Sequence, residues 1–86
     1  MEKTIFSTEQ KVLQELLRQF RMEAGVTQVE LARRLETTQV TVSNIERGER
    51  RLDLIELYKV LDAIGIPLSD FIRRYEELVG RAPKKT

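Results

Sequence analysis

The chain contains no cysteine and no histidine. Disulfides and thiolate or imidazole metal sites are therefore ruled out, and the commonest enzyme nucleophile and general base are missing as well. The composition points to a binding protein that needs no metal or cofactor, not to an enzyme. No run of about 18 apolar residues occurs and no charged-then-apolar segment opens the sequence, so neither a membrane span nor secretion is expected and the cytoplasm is the default location. Low-complexity tracts and internal repeats are missing too. A strong net charge is also lacking: the formal value is +1, so the sum alone does not single out nucleic acid as a partner.

What is present is 86 residues, 41% hydrophobic and 34% charged, which fits one soluble domain over residues 1–80 with a disordered tail, "RAPKKT", at 81–86. By size scaling such a chain buries only about 60–65% of its unfolded surface. The charge is unevenly spread. Arg18 to Arg51 holds seven Arg against five Glu, whereas Asp53 to Glu77 holds three basic and six acidic residues, so the two halves are suited to different partners.

The periodicity is helical nearly throughout. Ser7 with Gln10 has the form of a capping box, followed by Val12, Leu13, Leu16, Leu17, Phe20 and Ala24 on one face up to Gly25. Thr27 with Glu30 is a second box, before a short helix carrying Val29, Leu31, Ala32 and Leu35. Asp53 with Glu56 is a third, opening a stripe of Leu54, Leu57, Tyr58, Leu61 and Ile64 that stops at Gly65. Pro67 suits a turn and Ser69 a cap for a last helix with Phe71, Ile72, Tyr75, Leu78 and Val79 on one side.

Between the second and third boxes lies "ETTQVTVSNIERGER", Glu36 to Arg50, where β-branched residues alternate with polar ones as in a strand. No other segment alternates in this way, and a strand without a partner leaves its backbone groups unsatisfied. The stretch therefore reads as a helix, about 38–47, capped by Thr37 or Thr38 and ended by Gly48. That arrangement turns Val42 and Ile45 toward Leu31, Ala32 and Leu35 and leaves Gln39, Val40, Ser43, Asn44 and Arg47 outside.

Two short helices joined by "ETT" make a helix-turn-helix at about 28–47, and the run "FRMEAGVTQVELARRLETTQVTVSNIERGER" resembles the phage-repressor family of Cro-like and xenobiotic-response-element-like regulators. The resemblance extends from about Leu13 to Phe71. It implies an all-α, five-helix repressor-like fold and a homodimeric regulator, a repressor by expectation, that binds double-stranded DNA at a two-fold symmetric operator. Glu36 departs from the family, which usually has Gly in this turn. A left-handed backbone there would cost a residue with a Cβ about 1–2 kcal/mol.

The resemblance also assigns roles. Thr38, Gln39, Val40 and Asn44, early in the second helix of the motif, would face base edges; Gln and Asn suit adenine and Val suits the thymine methyl group. Thr27, Gln28, Thr41, Ser43, Arg47 and Arg50 would meet phosphates, with Arg51 a weaker candidate. Arg21 and Glu46 would form an ion pair tying the reading helix to the scaffold. Each role has a plainer counterpart: a solvated helix face, a helix cap, or unrelated surface charges. Phe71, Tyr75, Leu78 and Val79 read either as core or as a self-complementary dimer patch. Two other readings stay open, an autoregulatory antitoxin whose acidic half binds a toxin and a protein-interaction module without DNA binding.

Overall fold

Ser7, Thr27, Thr38 and Asp53 each stand immediately before a helix, and each side chain accepts a hydrogen bond from the backbone N–H three residues on. Each thereby satisfies one of the donors that a helix start leaves without a partner. In the computed structural model, which describes residues 7–80, the helices that follow are α1 (Thr8–Glu23), α2 (Gln28–Leu35), α3 (Gln39–Glu46), α4 (Leu54–Ala63) and α5 (Leu68–Gly80). The tail at 81–86 lies outside the described residues. Of these four helix starts, only Asp53 with Glu56 makes a reciprocal box, the Asp53 N–H donating to the Glu56 carboxylate at 3.0 Å. At α2 the Glu30 carboxylate turns instead to Arg33 and Arg34. Ser69 is not a cap: α5 begins at Leu68, and the Pro67 carbonyl accepts from Asp70 and Phe71.

The strand-like stretch is helical among the described residues, as α3 with a turn on either side. Val42 and Ile45 are buried in one cluster with Leu31 and Ala32 of α2, Leu16 and Leu17 of α1, Leu61 of α4 and Phe71 of α5. Burial of such side chains, at about 1.5–3 kcal/mol each, outweighs the small propensity penalty of β-branched residues in a helix. Phe71 is 0% exposed and its ring packs on Phe20, with centroids 5.8 Å apart.

Several apolar positions expected to point inward do not. Val29, Leu54, Tyr58 and Ile72 are exposed, while Val26 and Val60 are buried. On α4 apolar residues occupy nearly every side, so the spacing fits two faces; the packed one is Leu57, Val60, Leu61 and Ile64. Val29 sits in the first turn of α2, rotated away from Leu31 and Ala32. Ala24, the C-cap of α1, is exposed as well.

The first four helices end alike. A residue with positive φ follows the helix, and the next N–H returns to a carbonyl five residues back, as in Thr37 to Ala32 and Glu49 to Asn44. After α3 this residue is Gly48, where a Cβ would overlap the Gln14 amide. After α2 it is Glu36, at φ 59° and ψ 44°. The Glu36 Cβ is strained there, so Glu36→Gly should stabilise the chain by about 1 kcal/mol once the extra entropy of an unfolded glycine is subtracted. Urea denaturation of the two proteins measures this, and equal or lower stability in the variant would show that the turn carries no strain.

Candidate nucleic-acid interface

α2 and α3 pack across the turn at Glu36–Thr38, and the side of α3 opposite Val42 and Ile45 is left open. Thr38 caps α3; its hydroxyl accepts from the Thr41 N–H at 3.2 Å and shares a hydrogen bond with the Thr41 hydroxyl at 3.1 Å. Gln39 and Val40 form the first turn and are exposed, Val40 by 62%. No acidic residue lies in that turn, so the positive end of the helix dipole is not neutralised locally.

α3 is fixed from behind by charge. Arg21 of α1 and Glu46 of α3 meet in a two-pronged contact, Nε to Oε2 at 2.5 Å and Nη2 to Oε1 at 3.0 Å, with side chains only 9% and 6% exposed. Arg21 Nη1 also donates to the Val26 carbonyl at 2.8 Å. The chain of contacts continues outward. Gln28 Nε2 donates to Glu46 Oε1 at 2.9 Å, and Gln39 Nε2 donates to Gln28 Oε1 at 2.7 Å.

This chain has a direction. A carboxylate only accepts, so Gln28 must turn its NH₂ to Glu46 and its oxygen to Gln39. Gln39 must then turn its own NH₂ to Gln28. One amide hydrogen and Oε1 of Gln39 are left facing outward, a donor and an acceptor side by side, which is the complement of adenine N7 and N6. Gln28 is thereby committed chiefly to positioning Gln39, with one amide hydrogen remaining for a phosphate.

The other candidates fall around this centre. Thr27 is the exposed cap of α2 and accepts from the Glu30 N–H at 3.0 Å. Arg47 lies across the end of α3, donating to the Ser43 hydroxyl, to Asn44 Oδ1 at 2.7 Å and to Glu49. Asn44 therefore has its acceptor occupied. Arg50 donates to Glu56 Oε2 at 2.7 Å, which places it at the mouth of α4. Two guanidinium groups, of Arg33 first and then Arg34, hold the Glu30 carboxyl down at about 2, so α2 offers no unpaired negative charge beside the open face.

The α5 residues are distributed differently. Phe71 is enclosed in the core and offers nothing to a partner. Tyr75 and Leu78 pack against the same core, and the Tyr75 hydroxyl donates to the Glu9 carbonyl at 3.1 Å. α5 packs on α1, so Phe71 is core and not part of an outward patch, while Tyr75, Leu78 and Val79 are half-buried. Two positioning residues gave no sequence signal. Gln14 packs on Gly48 and reaches the Glu46 carbonyl at 3.5 Å, and Arg34 donates to the Ala63 carbonyl at 2.7 Å, tying α2 to the end of α4.

The helix-turn-helix family model matches residues 17–71, which contain α2, α3 and the linked contacts of Arg21, Glu46, Gln28 and Gln39. The chain belongs to the XRE-type helix-turn-helix family of DNA-binding regulators. An XRE-family like protein from Pseudomonas syringae pv. tomato str. DC3000 is 38% identical, with 93% of this chain and 94% of that one covered and a TM-score of 0.79. The clp gene regulator ClgR from C. glutamicum is 28% identical over 83% of this chain and 91% of its own, at a TM-score of 0.73. The restriction-modification controller protein C.Esp1396I, at 21% identity, shares the fold, with a TM-score of 0.80 over 90% of this chain and 98% of that one. No curated protein matches the chain. Within the family motif, α2 and α3 are the two helices of the helix-turn-helix.

Proposed function

We propose that this XRE-type regulator binds duplex DNA sequence-specifically, as a homodimer, by inserting the first turn of α3 into the major groove, and that it represses the promoter it occupies. The observation that supports this most directly is the Gln39 amide, exposed at the start of α3 and oriented by Gln28, Glu46 and Arg21. A side chain held in one orientation by a buried ion pair discriminates between bases, because the wrong base leaves a fixed donor or acceptor unpaired. Val40 beside it supplies apolar contact for a thymine methyl group. Thr27, Thr41, Ser43, Arg47 and Arg50 hold the phosphates on either side and set the register. When Arg47 moves to a phosphate it releases Asn44 Oδ1, which then becomes available to a base. Repression follows from occupancy, since a dimer seated on promoter DNA excludes polymerase.

Selection of bound duplexes from a randomised pool tests this reading. The expected product is a two-fold symmetric site with half-site centres about 10 base pairs apart. Recovery of no preferred sequence would overturn the specific reading. A reporter placed behind the selected site should lose expression when the protein is supplied, and a gain would reverse the sign assigned here.

The arginines make a separate prediction. Each lost phosphate contact removes about 0.9 from the slope of log affinity against log salt. Arg50→Ala should therefore weaken binding to every duplex alike and flatten the slope by about one unit. An unchanged slope in a salt titration would assign Arg50 to its Glu56 ion pair alone.

A further inference from the structure

Arg47, Arg50 and Arg51 stand in the segment between α3 and α4, and two of the three already hold a carboxylate. Arg50 Nη2 donates to Glu56 Oε2 at 2.7 Å, and Arg47 donates to both oxygens of Glu49, at 3.4 and 3.3 Å. Arg51 is exposed and, among the described residues, takes part in no ion pair. Arg47 and Arg50 are the arginines that the DNA-binding reading, on which this inference rests, assigns to phosphates.

The carboxylates are anchored by backbone contacts. Glu56 Oε1 accepts from the Asp53 N–H at 3.0 Å while the Glu56 N–H donates to Asp53 Oδ1 at 2.8 Å, so the capping box of α4 holds the remaining oxygen, Oε2, against Arg50. Glu49 follows Gly48, whose φ is positive, and its N–H returns to the Asn44 carbonyl at 2.8 Å, which sets it beside Arg47. Both pairs are open to water, with side chains between 39% and 57% exposed. An ion pair so placed is weak enough to exchange one anion for another, unlike the buried Arg21–Glu46 pair.

A phosphate offers a guanidinium the same pair of acceptors as a carboxylate does. Bringing a phosphate to Arg50 or Arg47 therefore first breaks a contact of its own kind, and it leaves a carboxylate behind next to the polyanion. From this geometry we infer that Glu49 and Glu56 compete with DNA phosphates for Arg47 and Arg50, and so lower the affinity of the protein for every duplex irrespective of sequence. The competition acts on the phosphate share of the affinity and leaves the preference between sequences to the first turn of α3.

Fluorescence anisotropy at one salt concentration, with the full chain, a short random-sequence duplex and the selected operator, tests this. Glu56→Gln is the informative change, because glutamine serves in a capping box as glutamate does and only the charge is lost. With unchanged circular dichroism it should bind both duplexes about two- to fivefold more tightly, and Glu49→Gln should do the same. Glu76→Gln, which removes the same charge from α5, should change neither affinity. In an Arg50→Ala background the gain from Glu56→Gln should fall to less than about half, because the arginine that it releases is gone. A Glu56→Gln protein no tighter than the wild type on random duplex would overturn the competition. So would an undiminished gain with Arg50→Ala, or an equal gain with Glu76→Gln. In each of these cases a wild type that prefers the selected operator leaves the DNA reading standing. Failure of every protein, wild type included, to bind any duplex overturns that reading and the competition with it.

Discussion

Arg21→Ala should lower the stability of the fold by about 3–5 kcal/mol, a large share of what a chain of this size has available. The reason is what the change leaves behind. Arg21 and Glu46 are both almost wholly out of water, and the guanidinium supplies two of the hydrogen bonds on the Glu46 carboxylate while its third arm satisfies the Val26 carbonyl. Without it a buried carboxylate keeps one side-chain donor, the Gln28 amide, and the Val26 carbonyl loses its charged partner. Removing both members is less damaging than removing one, because the cost comes from the unpaired charge and not from the absence of the pair. Arg21→Ala with Glu46→Ala should therefore be more stable than the sum of the two single losses predicts, by at least about 1 kcal/mol. Urea titrations of the four proteins measure this coupling. Strict additivity would mean that water reaches the pair and screens it.

The same pair marks the boundary of what local sequence signals can convey. The starts of α1, α2, α3 and α4 are legible because a cap acts on a backbone group three residues away, and the αL turn at Glu36 is legible as a conditional strain for the same reason. Val42 and Ile45 are legible because, of the three apolar residues of α3, they are the two spaced by three and so share a face, which Val40 does not. α4 offers two candidate faces, so periodicity admits both Leu54–Tyr58 and Leu57–Leu61, and only packing against α2 and α5 decides between them. The Arg21–Glu46 pair spans 25 residues and enters from family resemblance, not from spacing. Gln28 and Gln39 are each marked as candidate contact residues by the family resemblance, but the hydrogen bond between them depends on how α2 crosses α3, which no local pattern encodes. On α5 the apolar strip is visible in the sequence, but its use is not: only Phe71 is enclosed, Tyr75, Leu78 and Val79 are half-buried, and the Tyr75 hydroxyl is bonded to the start of α1.

Gln39→Ala should weaken binding to the selected operator by about 1–3 kcal/mol while leaving affinity for random duplex nearly unchanged. On the proposed reading the wild-type side chain would enter the groove with its orientation already fixed by Gln28, so little entropy would be lost on meeting adenine, and the outward hydrogen and oxygen would arrive as a pair. Alanine leaves adenine N6 and N7 without partners and makes no contact that another base would favour, so the preference at that position flattens. The positioning chain adds a second test. Gln28→Ala leaves Gln39 in place but frees its amide to rotate, so it should reduce discrimination at the same base pair by a smaller amount, and Gln39→Ala with Gln28→Ala should lose little more than Gln39→Ala alone. Competition binding with operators substituted one base pair at a time gives each of these quantities. Equal losses on operator and random duplex would remove Gln39 from base reading, and full additivity of the two glutamine changes would mean that Gln28 acts on the phosphates by itself.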